Sequence, residues 1–124
     1  MPTFEFRSIV LDAPDVRALG DFYQRLLGWP VTSGEDDDGW VRIAPAAGGT
    51  GLAVQAEPDF VRPVWPSDTT HQQMQSHLDL VVDDLAAASA HAEECGAVLA
   101  DFQPQDDVRV YLDPVGHPFC LFVN

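Results

Sequence analysis

The stretch "HLDLVVDDL" (77–85) has a counterpart earlier in the chain, "SIVLDAPDV" (8–16), and this pair decides the fold. Laid one over the other, their apolar positions coincide, Asp84 falls on Asp15 and Leu85 on Val16. Reading outward, "ECG" ending at Gly96 matches "LLG" ending at Gly28, and "VRV" (108–110) matches "VRI" (41–43). Finally "GHPFCLF" (116–122) matches "GTGLAVQ" (49–55). The offset shrinks slightly from match to match, as loop deletions would make it. Four matches in one order argue that a single supersecondary unit is written twice.

Each half reads as a strand, a helix and three more strands. Residues 4–11 alternate as a strand, and Asp15 is placed to cap a helix over about 16–27. Leu19, Phe22, Tyr23, Leu26 and Leu27 recur at helical spacing, and Gly28 supplies the stop. Strands near 29–33, 40–44 and 51–55 follow. In the second half, strand 77–82 leads to an Ala-rich helix at about 84–95 ended by Gly96, then strands near 97–101, 107–112 and 118–123. The turn between the last two is "DPVG" (113–116), where Pro pre-sets φ and Gly allows a left-handed exit. The expectation is a single α+β domain over 1–124, with modules at about 1–56 and 77–124. The Pro-containing connection between them, about 57–76, is too long for a tight turn and has the length of a linker or lid.

A helix covers only one face of a sheet. Period-2 counting puts Ile9, Leu11, Leu78, Leu80 and Val82 against the helices. Ser8, Val10, Asp12, His77, Asp79 and Val81 then point the other way, and Cys120 and Phe122 join that second face. Two such mixed sheets are expected to curve into a shared cup with the helices outside.

Composition bounds the function. The chain has 124 residues, 46% hydrophobic and 21% charged, an ordinary globular balance with no run long enough to span a membrane. No leader-like basic and apolar start is present, so a soluble, cytoplasmic protein is expected. Twenty acidic residues face 6 Lys+Arg, a formal charge of −14 that would repel a phosphate backbone and leaves cationic small molecules open. Cys95 and Cys120 are the only cysteines and read as reduced thiols.

Several side chains are candidates for chemistry, each beside a plainer reading. Cys120 either lines the cup or acts as a thiolate, which needs a base such as His77 and an electropositive setting. His77 is a ligand-contacting imidazole or a half-exposed strand-start residue. Asp12 and Asp79 can do acid–base work or anchor an amine; otherwise they bond backbone or the nearby Arg42 and Arg109. Trp65, between prolines in the long connection, seals the cup or plugs a core edge, and Trp40 is strand core or cup wall. Tyr111 and Gln55 complete the set of expected ligand contacts.

The order of "DFYQRLLGW", "HLDLVVDDL" and "LDPVGHPFCL" within a doubled βαβββ pattern resembles the vicinal oxygen chelate superfamily over essentially the whole chain. That superfamily includes glyoxalase I, bleomycin-resistance proteins and extradiol dioxygenases, and its members often pair. The resemblance implies metal-ligand places on the first and fourth strand of each module, here Ser8, Ala53 (or same-face Gln55), His77 and Cys120. Divalent ions there want several good oxygen or nitrogen donors. Ser8 is a poor ligand and Ala53 is none, so no catalytic metal and no other cofactor is expected. If a divalent ion were bound, His77, Gln55 and Cys120 would be its set. The implied function is binding of a small molecule, such as a cationic antibiotic, by a homodimer; the enzymatic alternative is a glyoxalase-like lyase or isomerase.

Overall fold

In the computed structural model, which describes residues 1–124, the chain forms two compact units, Met1–Phe60 and Val61–Asn124. Each contains one helix and one four-stranded mixed sheet, so the α+β, two-module expectation holds.

The first unit is β1 (Ser8–Ala13), α1 (Val16–Leu27), β2 (Val31–Ser33), β3 (Trp40–Ile43) and β4 (Gly51–Ala56). Asp15 caps α1 as expected, its carboxylate accepting from the Ala18 amide at 3.1 Å, and Gly28 ends the helix at φ 69°. Val16, Leu19, Phe22 and Tyr23 form the buried stripe, with the two rings edge-to-face at 4.8 Å. Burying each ring contributes on the order of 2 kcal/mol. Gly20 lets α1 settle on β3, since a Cβ there would lie 2.8 Å from Val41 Cγ1.

The second unit is β5 (Leu78–Val81), α2 (Leu85–Cys95), β6 (Val98–Leu99), β7 (Val108–Leu112) and β8 (Pro118–Phe122). Asp84 caps α2 through the Ala87 amide at 3.0 Å, and Gly96 ends it at φ 115°. The β7–β8 turn closes on Asp113, fully buried, whose Oδ1 accepts from the amides of Val115 and His117 at 3.0 Å each.

The strand order is β1-β4-β3-β2 in one sheet and β5-β8-β7-β6 in the other. In both, the first strand runs parallel to the fourth, with Ile9 opposite Leu52 and Leu78 opposite Phe119. The doubled pattern is therefore real at the level of hydrogen bonding. One of the four matches is out of register. Trp40 pairs with Gln55 as Val108 pairs with Phe122, so Trp40, not Val41, is the partner of Val108. Arg42 consequently corresponds to Val110, and Arg109 lies on the opposite face of its sheet from Arg42's place.

One further expectation changes. β1 begins at Ser8 rather than residue 4: Phe4 and Phe6 lie outside the paired register and stay exposed. The connection after residue 60 belongs to the second unit: within it the Val64 N–H donates to the Gln72 carbonyl, and Arg62 Nη1 donates to the Pro114 carbonyl at 3.2 Å.

Candidate functional site

Each sheet has one face turned to its helix and one turned away. In the second sheet the helix side is fixed by Tyr111, whose hydroxyl donates to Glu93 of α2 at 3.0 Å and whose ring stacks on Phe119. Tyr111 is 1 % exposed and therefore does not belong with the expected ligand contacts. The sequence "VRVYL" offers apolar residues on both faces, so the alternation there could not assign it.

The helix-free face of the second sheet holds Asp79, Cys120 and Val110 in one cross-strand row and Val81, Phe122 and Val108 in the next. His77 stands just before β5, and its Nε2 lies 3.0 Å from Asp79 Oδ1. The donor atoms of His77, Asp79 and Cys120 lie within 4.8 Å of one another. Asp79 thus stands with His77 and Cys120 as a further potential donor. Burial holds the Cys120 thiol above its usual pKa, and the Asp79 charge and hydrogen bond raise it further. The thiol stays protonated at neutral pH, which argues against a nucleophilic thiolate.

The helix-free face of the first sheet carries Asp12, Gln55 and Trp40 in one row and Val10, Ala53 and Arg42 in the next, with Ser8 at the end of β1. Gln55 Nε2 donates to Asp12 Oδ1 at 2.7 Å. Arg42 is the residue that sequence reasoning undervalued. It is only 9 % exposed, and its guanidinium lies over Gly51, where a Cβ would come within 2.8 Å of Cζ. Nε donates to Ser8 Oγ at 2.7 Å, Nη1 to Thr32 Oγ1 at 3.0 Å, and Nη2 to the carbonyls of Arg7 and Gly49 at 2.9 and 3.3 Å. The signal that could have found it is the small pair Gly51 and Ala53 across from Arg42, which leaves room for a long side chain.

Trp65 is half-buried in the connection, and its indole N–H donates to the Phe102 carbonyl at 3.0 Å with the rings 6.2 Å apart. It covers the segment between β6 and β7. Arg109 bonds the carbonyls of Asp106 and Val108, so it is not the partner of Asp79. A cavity of about 330 Å³ opens between α1 and the β2–β3 hairpin, lined by Arg17, Asp21, Gln24 and Glu35 among others. None of the expected site residues lines it.

The four metal-ligand places do not form a matching set. His77 and Cys120 can coordinate, but Ala53 has no donor, and the Ser8 hydroxyl oxygen already accepts from a fixed cation. A guanidinium bonded to one ligand place disfavours a divalent ion there.

The glyoxalase-like domain family matches residues 8–122. No curated protein matches the sequence. Among solved structures, a glyoxalase/bleomycin resistance protein/dioxygenase family enzyme from Burkholderia phytofirmans PsJN is similar at TM-score 0.70 and 17% identity, covering 95% of this chain and 97% of its own. The antibiotic binding protein TnmS3 from Streptomyces sp. CB03234 is similar at 0.65 and 20%, covering 99% and 98%. Lactoylglutathione lyase from Agrobacterium tumefaciens is similar at 0.65 and 15%, covering 100% and 96%. These identities speak for a shared fold rather than a shared activity. With the doubled βαβββ topology and a family match from β1 to the end of β8, the chain belongs to the glyoxalase-like domain family of the vicinal oxygen chelate superfamily.

Proposed function

We propose that the protein binds a small molecule without a catalytic metal, in the manner of an antibiotic-sequestering protein, and works in the cytoplasm as a homodimer. The observation that carries this reading is Arg42, whose guanidinium is bonded to Ser8 at one of the family's ligand places. The fold likeness to an antibiotic binding protein supports it. Asp79 on the helix-free face and the −14 net charge favour a ligand with a cationic group.

Elemental analysis of protein purified without chelators tests the proposal. The expected result is well under one transition metal per chain. A stoichiometric metal that disappears in His77→Ala would overturn it. That outcome would favour the second reading, a glyoxalase-like lyase or isomerase, for which the grouping of His77, Asp79 and Cys120 is the supporting observation.

A further inference from the structure

The helix-free face of the first sheet carries a nearly buried positive charge that its hydrogen bonds leave unneutralised. All four bonds of the Arg42 guanidinium go to neutral oxygens: two hydroxyls and two backbone carbonyls. A guanidinium has five N–H groups, so one on Nη1 is unspent. The Ser8 hydroxyl accepts from Nε, which leaves its own hydrogen to donate elsewhere. Thr32 differs, because its hydroxyl hydrogen already goes to the Arg42 carbonyl at 3.3 Å. A formal charge and a spare N–H therefore remain on the guanidinium, and a spare hydroxyl hydrogen remains on Ser8 beside its Nε. Val10, on the same cross-strand row as Arg42, is 42% exposed, so this face is open to solvent beside the guanidinium.

Leaving a nearly buried charge without a counter-charge is costly, and a long apolar side chain would pack over Gly51 without that cost. The equivalent place in the second sheet shows the apolar solution: it is Val110, 2 % exposed. We propose that Arg42 and Ser8 form a recognition site for an anionic oxygen, a carboxylate or phenolate carried by the ligand. The guanidinium supplies the charge, and the Ser8 hydroxyl supplies a second donor whose direction the Nε bond fixes. The inference rests on the metal-free reading, since a divalent ion at Ser8 would take the same place.

Sodium benzoate and its neutral isostere benzamide, titrated into ¹⁵N-labelled protein, test the site. Benzoate is expected to shift the amides of Ser8, Thr32 and Gly51 and the Arg42 Nε–H, with benzamide at least about tenfold weaker. A chain of net charge −14 repels anions in general, so saturable benzoate binding here reports a specific site. Ser8→Ala should weaken benzoate by about tenfold while leaving the fold intact. Arg42→Lys, which keeps the charge but loses the fork, should weaken it as well; if that variant does not fold, the Ser8→Ala comparison decides. Unmoved resonances at these positions overturn the proposal. So does an equal response to benzamide, or benzoate binding indifferent to Ser8→Ala. Metal content measured on the same sample keeps the two failures apart: a metal-free protein that ignores benzoate refutes this site alone.

Discussion

Cys120 has a histidine and a carboxylate beside it, yet its setting favours the neutral thiol. Its pKa is raised first by burial and then by Asp79, so the shift falls on the side that opposes thiolate formation. A raised folded value means that this group's contribution to stability is present below the ordinary thiol pKa and is lost as pH rises through the folded one. Iodoacetamide should therefore alkylate Cys120 more slowly than a small exposed thiol at pH 8, and Asp79→Asn should speed it. A fast reaction that Asp79→Asn slows would restore the thiolate reading. Gly51 makes a second test at this scale. A methyl there would meet Ile43's carbonyl oxygen at 2.6 Å and Arg42 Nη2 at 2.7 Å. Gly51→Ala should cost about 1–3 kcal/mol in urea unfolding. Faces were legible one residue at a time: alternation put Ser8, Asp12, Asp79, Cys120 and Phe122 on helix-free faces. Arg42 was not, because a strand arginine reads as exposed until the small residues opposite it are known.

Elements show where sequence reading stops. The first helix was found from its cap and periodicity, the second from its alanine content and terminal glycine, all signals local to the chain. Asp15 caps as expected and Asp84 does the same for the second helix, each bonding the amide three residues on. Replacing either by alanine should cost about 0.5–2 kcal/mol. The loss at Asp84 should fray its helix more, as seen by amide exchange, because α2 buries only Ala92 and Cys95 whereas α1 buries Val16, Leu19, Phe22 and Tyr23 among others. Strand register is a different matter, since pairing partners are remote in sequence. "VRI" and "VRV" look alike, but hydrogen bonding sets them one residue apart, and one residue exchanges the two faces of a strand. Tyr111, expected among the ligand contacts, lies on the helix side of its sheet, which its neighbours in sequence do not reveal.

At the scale of the whole molecule, no helix is long and apolar enough to cross a membrane, and the charge balance is strongly acidic. If that charge serves binding, a planar cation should bind more tightly than its neutral isostere at low salt. The preference should shrink as the Debye length falls from about 30 Å at 0.01 M to about 8 Å at 0.15 M. Calorimetry at the two salt concentrations measures it, and a salt-independent gap would assign the preference to contacts instead. The strand order has a consequence for how the chain is made. In each sheet the fourth strand lies between the first and the third, β4 beside β1 and β8 beside β5. The strand that a ribosome delivers last in each module is therefore the one that joins the others. Until β4 emerges β1 has no partner, and until β8 emerges the second sheet is two separate pieces. Each module must wait for its own final strand before it can close, so the nascent chain carries unsatisfied strand edges through most of the synthesis of each half.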